Sequence, residues 1–171
     1  WGDACSGTST TCTVTMDGNK SVAANFAINT YTLTTSVTGT GSGSISKSPN
    51  QTNYNHGSSV TLTATPSAGN SFVNWGGACS GTSTTCTVTM DGNKSVAANF
   101  AINTYSLVVY NPESRTTITG PSAISCGSQC SATFNYGTSV TLNAVIPSTP
   151  SWMVNWEVIW TGCDTAVGRQ C

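Results

Sequence analysis

Residues 75–105 read WGGACSGTSTTCTVTMDGNKSVAANFAINTY, and residues 1–31 read the same with Asp3 in place of Gly77. The two copies are offset by 74 residues, so a complete repeat unit runs from 31 to 104. A diverged third copy begins at Tyr105, where YTLTTSV (31–37) returns as YSLVVYN (105–111). Further along, YNHGSSVTL (54–62) returns as FNYGTSVTL (134–142). We therefore divide the chain into 1–30, the C-terminal part of a repeat; 31–104, a complete repeat; and 105–171, a diverged and C-terminally incomplete repeat.

Alternation of apolar and hydroxyl side chains predicts β-strands throughout the repeat. Val60, Leu62 and Ala64 alternate with Ser and Thr. In the same way, Cys86, Val88 and Met90 alternate with threonines and would share one face of a strand. Asp91-Gly92-Asn93-Lys94 predicts a hairpin turn, and Gly39 to Gly43 predicts a glycine-rich turn. No segment has helical periodicity, so we expect an all-β fold. The predicted core of the complete repeat consists of Val60, Leu62, Phe72, Trp75, Val88 and Phe100.

The cysteines stand in four close pairs, which predict disulfides in an oxidising compartment, outside the cell or at its surface. The pairs are Cys5/Cys12, Cys79/Cys86, Cys126/Cys130 and Cys163/Cys171. In the chain-entropy description each short loop stabilises the fold by about 2–3 kcal/mol. A zinc or haem site is not expected, because no C-x-x-C occurs and His56 is the one histidine. We expect no metal and no cofactor.

Charge is scarce, since Asp, Glu, Lys and Arg make up 6% of the chain and the net charge is −1. This excludes a basic surface for nucleic acid or anionic lipid. No apolar run is long enough for a membrane span. Low charge also removes the repulsion that keeps soluble proteins apart, which suits packing against copies of itself.

Several motifs of the complete repeat resemble the divergent internalin-B-type repeat of bacterial surface proteins. They are Tyr31-x-Leu33, the run from Tyr54-x-x-Gly57 to Ala64-x-Pro66, Phe72-x-x-Trp75 with its Cys-bounded loop, Val88-x-Met90-Asp91 and Val96-x-Ala98-x-Phe100. The resemblance implies small, tandem, β-rich modules, β-grasp-like or sandwich-like, along secreted or surface-anchored proteins. The matching residues belong to cores and turns, so they imply a fold and no activity.

Catalysis is not expected from the residues present. His56 lies in a turn and is replaced by Tyr136 in the third copy, which is not how a required base would behave. The few carboxylates are scattered, which disfavours a paired-carboxylate site.

Trp152, Trp156 and Trp160 would share one face of a strand over 152–160 and form a platform for a protein partner or a sugar. Alternatively, Trp156 is a core residue that matches Trp75. The threonine rows 11, 13, 15 and 85, 87, 89 are typical of solvated strands, and ice binding is their functional alternative.

The sequence predicts a non-enzymatic structural module of an extracellular stalk or filament. Its expected partners are copies of itself, joined head to tail when residues 13–30 of one copy supply closing strands to residues 105–171 of the next. The composite would then hold the Trp-to-Cys loop twice. The alternatives are a carbohydrate-binding or adhesive module with a glycan partner, and a segment of a longer covalent array.

Overall fold

The computed structural model describes residues 1–111, 116–122, 124–127 and 129–145. These residues form strands, turns and loops and contain no helix, which confirms the all-β prediction. The strands, in chain order, are β1 (Gly2–Asp3), β2 (Val22–Ala23), β3 (Thr30–Tyr31), β4 (Leu33–Gly39), β5 (Gly43–Ser48), β6 (Tyr54–Asn55), β7 (Ser59–Pro66), β8 (Asn70–Gly77), β9 (Thr85–Thr89), β10 (Lys94–Ile102), β11 (Thr104–Tyr110), β12 (Thr117–Thr119), β13 (Ser125–Cys126), β14 (Gln129–Asn135) and β15 (Asn143–Val145).

The complete repeat is a small sandwich of two three-stranded sheets. One sheet has the order β4-β10-β8, and the other has the order β5-β7-β9. The short strands β3 and β6 pair beside them, with Tyr31 opposite Tyr54. Of the two architectures expected, the described residues thus form the sandwich-like one.

The core lies between these sheets because the apolar residues of each strand face inward. Val60, Leu62 and Val88 come from one sheet, and Trp75 and Phe100 come from the other; all five are buried. Phe72 is partly buried and packs its ring 5.2 Å from Trp75 and 5.7 Å from Phe100. The rest of the cluster is Leu33, Tyr54, Ala64, Cys79, Met90, Val96 and Ala98.

Strand β10 runs parallel to β4, with Lys94 opposite Leu33 and Phe100 opposite Gly39. Parallel neighbours begin at the same end of a sheet. The chain therefore enters the repeat at the Leu33 end and leaves it at the Ile102 end, roughly 26 Å further along the strand direction. The connecting turn after β4 passes close to β10, since the Gly41 N–H donates to the Phe100 carbonyl at 2.9 Å.

The hairpin predicted at Asp91–Lys94 is wrong. Strand β9 pairs with β7, whereas β10 lies between β4 and β8, so the turn crosses from one sheet to the other. Asn93 Oδ1 accepts the Thr32 N–H at 2.9 Å, and the Lys94 N–H donates to the Thr32 carbonyl at 2.9 Å. These bonds attach the turn to the start of β4 and direct the chain away from β9.

The third copy preserves the pairing of the complete repeat where its sequence is retained. Ile118 of β12 lies opposite Ala144 of β15, as Ile45 of β5 lies opposite Ala64 of β7. Strands β13 and β14 carry Cys126 and Cys130 and enlarge this copy, with β14 pairing along β11. A second core forms around Val109, Ile118, Ile124, Cys126 and Leu142.

Candidate assembly surfaces

Identical residues of the first two copies have opposite solvent exposure. In the complete repeat Met90, Val96 and Phe100 are 0%, 2% and 0% exposed. Their counterparts Met16, Val22 and Phe26 are 72%, 45% and 95% exposed. Residues 1–30 therefore present, without cover, the apolar face that 75–104 buries against β4 and β7.

The backbone of the first copy differs in the same way. Residues 85–89 and 94–102 are strands, but the matching residues 11–15 are not in a strand and only Val22–Ala23 is extended within 20–28. Gly2–Asp3 pairs with Val22–Ala23 in the register that Gly76 and Gly77 use against β10. The segment thus keeps the pairing between its own residues. It lacks the strands that, in the complete repeat, form against the opening half, which is strands β3 to β7.

The Trp-to-Cys loop forms in both copies. The Trp75 indole N–H donates to the Ser83 carbonyl at 2.8 Å, and the Trp1 indole N–H donates to the Ser9 carbonyl at 2.6 Å. The structure places Cys5 and Cys12 at disulfide geometry with their Cα atoms 6.2 Å apart, and Cys79 and Cys86 likewise at 6.3 Å. Since the loop in the first copy forms without strands equivalent to β4 and β7, it is largely a local structure.

The remaining cysteines divide between described and undescribed residues. Cys126 and Cys130 also lie within disulfide-bonding distance, with Cα atoms 5.5 Å apart. Cys163 and Cys171, and the tryptophans Trp152, Trp156 and Trp160, lie outside the described residues. Their pairing and their partner-binding role stay predictions.

A second surface is the junction between successive repeats. His56 lies at the junction between the first and second copies, and Tyr136 lies at the junction between the second and third. The His56 N–H donates to the Asn29 carbonyl at 2.8 Å, and the Tyr136 N–H donates to the Asn103 carbonyl at 2.8 Å. The Asn103 N–H in turn donates to the Gly69 carbonyl at 2.9 Å. The same backbone geometry thus links each repeat to the one before it.

The aromatic ring at this junction packs against the tyrosine that begins its own repeat. His56 lies 5.8 Å from Tyr31, and Tyr136 lies 6.5 Å from Tyr105. Gly69 has a φ of 70°, and a side chain there would overlap the Tyr136 ring. The sequence interpretation of His56 as a turn residue missed its contact at the junction. The sequence signal for it was an aromatic ring at the matching positions 56 and 136.

A third surface is the outer face of the β5-β7-β9 sheet, which carries hydroxyl groups in rows. Ser48, Thr61 and Thr87 lie side by side, and the next row is Ser46, Thr63 and Thr85. Strand spacing separates neighbours within a row by about 4.8 Å. Lys47 points away from this face and donates its Nζ to the Leu33 carbonyl at 3.2 Å. The face is therefore polar and uncharged.

Apart from Lys47 in β5, the charged groups of the complete repeat are Asp91 and Lys94, at the start of β10. Lys94 lies 2.6 Å from Asp91, and this hydrogen bond, together with the lysine charge, lowers the pKa of the Asp91 carboxyl. Lys20 and Asp17 make the same contact at 2.7 Å in the first copy. Among the described residues no three His, Cys, Asp or Glu side chains converge into a metal site. None of the described residues forms a helix that could span a membrane.

These features define the class of protein: a tandem, all-β repeat module with an autonomous Cys-bounded loop and a regular junction. The family model of the divergent InlB B-repeat domain matches residues 1–30 and 33–104, which is more than half of the chain. The chain belongs to that family, as its motifs predicted. The family is one of surface repeat modules and is not an enzyme family. Comparisons with curated proteins and with solved structures give no match.

Proposed function

We propose that this chain is a non-enzymatic spacer module of an extracellular bacterial stalk or filament, whose repeats follow one another head to tail. The parallel pairing of β4 with β10 carries this proposal, because it makes the chain enter and leave each repeat at opposite ends. A module of this kind advances the chain by a similar distance each time it is repeated.

The junction and the cysteines support the same role. The Asn29–His56 and Asn103–Tyr136 contacts repeat one geometry, so a row of such modules keeps a regular orientation. Disulfides persist outside the cell, where the oxidising conditions they need are found. The scarcity of charge lets many copies lie close together.

Lengthening the chain tests the spacer role. One or two additional copies of residues 31–104 are inserted after residue 104, and small-angle X-ray scattering measures the maximum dimension. We expect equal increments of roughly 20–30 Å per added repeat. A maximum dimension that stays constant, or that grows as the cube root of mass, would contradict the proposal.

A carbohydrate-binding or adhesive module is the second candidate, and the hydroxyl face of β5, β7 and β9 is the observation that favours it. Glycan arrays and polysaccharide pull-downs test it, with Thr61→Asp and Thr87→Asp changing the middle of that face. Binding that these variants abolish would support the second function. Binding that they leave intact would exclude this face.

A further inference from the structure

We propose that strand β4 of the complete repeat is a docking edge, which pairs antiparallel with β4 of a second copy of the chain and joins stalks side by side. This inference rests on the proposed stalk function and adds a lateral contact to it. Strand β4 is the outer strand of the β4-β10-β8 sheet. Neither residues 1–30 before the complete repeat nor the described residues of the third copy after it pair with this edge.

The backbone of β4 directs half of its hydrogen-bonding groups at the open edge. Along a strand, the N–H and C=O groups of successive residues point to opposite sides. The Thr32 carbonyl accepts the Lys94 N–H at 2.9 Å, so the groups of Thr32, and of every second residue after it, face β10. The groups of Thr35 and Val37 therefore point away from β10, and no described residue bonds to them.

This edge lacks the features that usually keep an edge strand unpaired, which are a charged side chain, a proline or a bulge. The sequence of β4, LTTSVTG, contains no charge and no proline, and its register with β10 is unbroken. Lys47 of β5 donates its Nζ to the Leu33 carbonyl at 3.2 Å, which covers the beginning of the edge and leaves the rest open. The opposite edge strand, β8, has a register shift along β10 and a bridge from Trp75 to Gly81.

The third copy shows that the equivalent edge accepts an antiparallel strand. Tyr105 lies opposite Phe134, as Tyr31 lies opposite Tyr54, but in the third copy the pairing of β11 with β14 continues as far as Tyr110. In the complete repeat the pairing ends at Tyr31, and the corresponding edge of β4 stays empty among the described residues.

The added strand in the third copy also completes a core. Val109 takes the place of Thr35 and is 6% exposed, with Cys130 of β14 opposite it. In the complete repeat Val37 lies on the inner side of β4, opposite the buried Ala98, and yet is 45% exposed. A strand along β4 would therefore cover Val37 as well as bond to the backbone.

A second β4 has the pattern that such a strand needs. In β14, half-buried residues such as Cys130 and Ala132 alternate with exposed hydroxyl residues. In β4 the inner residues are Leu33, Thr35 and Val37, and the outer ones are hydroxyl residues too. Because neither strand carries a charge, two copies of β4 do not repel each other. The contact uses the same surface on both chains, so it joins them in pairs about a two-fold axis.

Centring this axis on Ser36 gives the longest overlap. Thr35 of each copy then lies opposite Val37 of the other, and the two pairs form about four backbone hydrogen bonds. One such contact is weak, but a stalk with several complete repeats makes several contacts at once, which raises the overall affinity.

A symmetric cross-link tests this register. In the proposed contact the two Ser36 residues face each other with Cα atoms about 4.5 Å apart, so Ser36→Cys chains should form disulfide-linked dimers on mild oxidation. Thr34→Cys is the matched control: it is exposed on the same face, but its two thiols would lie about 14 Å apart, and its yield should be several-fold lower. Peptide mapping identifies the 36–36 bond. Equal yields for the two variants, or no 36–36 bond, would overturn the proposal.

Association in solution is the second test, measured by analytical ultracentrifugation on chains with two added copies of residues 31–104. Val37→Lys in every copy places a charge at the centre of the edge and should weaken association at least about tenfold. Val73→Lys, on the opposite edge strand and 41% exposed, should not. Equal weakening by both variants contradicts the proposed edge.

The same chains separate this inference from the function on which it rests. Chains that lengthen with each added repeat but stay monomeric overturn the lateral contact and leave the spacer function standing. Chains that fail to lengthen contradict the spacer function itself.

Discussion

Residue 77 and its counterpart, residue 3, are the one point at which the first two copies differ, and both have a positive φ, 80° for Gly77 and 63° for Asp3. This conformation suits glycine and strains other residues. A Cβ at position 77 would also overlap the Ser95 carbonyl. The substitution therefore has a physical meaning in the complete repeat, where β8 and β10 hold the backbone in place.

We expect Gly77→Asp to lower the free energy of unfolding by about 1–3 kcal/mol because of this strain. Asp3→Gly is the matched control; it removes the strain from the first copy and should leave the complete repeat unchanged. Urea unfolding followed by circular dichroism measures both. Equal stability of Gly77→Asp and wild type would show that the backbone at residue 77 shifts to accommodate the side chain.

Trp75 and Trp1 form a second matched pair, since they make the same indole hydrogen bond but only Trp75 is fully buried in a core. Trp75→Ala should cost about 3–5 kcal/mol of stability, and Trp1→Ala less than about 1 kcal/mol. If Trp75→Ala does not fold, Trp75→Phe supplies a milder test in the same direction. Similar losses of stability at both positions would mean that each tryptophan stabilises the protein through its local loop and not through the sandwich core.

At the scale of elements, strands β9 and β10 exist because other strands pair with them. Residues 11–15 and 24–28 have the same sequence as 85–89 and 98–102 but are not in strands, since no described strand pairs with them. Intrinsic β-propensity is thus too weak to hold these strands alone, and pairing and burial supply the stabilisation.

Amide exchange should show this contrast directly. In the chain of 171 residues, amides of residues 94–102 should exchange at least about a hundredfold more slowly than those of residues 20–28. The measurement needs NMR, because peptides from the two copies are nearly all identical in mass. Equal protection of the two segments would contradict the observed difference in pairing.

At the scale of the whole molecule, the chain advances in one direction, because it enters the complete repeat at one end and leaves it at the other. The junction contact recurs from one repeat to the next, at His56 and at Tyr136.

The sequence alone determined the features that depend on neighbours along the chain. The repeat period, the strand alternation, the Cys-bounded loop and the family follow from residue order, and the loop forms alike at Trp1 and Trp75 because its hydrogen bonds are local. The turn at Asp91–Lys94 was mispredicted because its partner, Thr32, is distant in sequence. Only the tertiary structure decided which copy of an identical stretch becomes a buried pair of strands, since Phe26 and Phe100 differ solely in whether an opening half covers them. Burial belongs to the surroundings of a residue, and two identical sequences can have different surroundings.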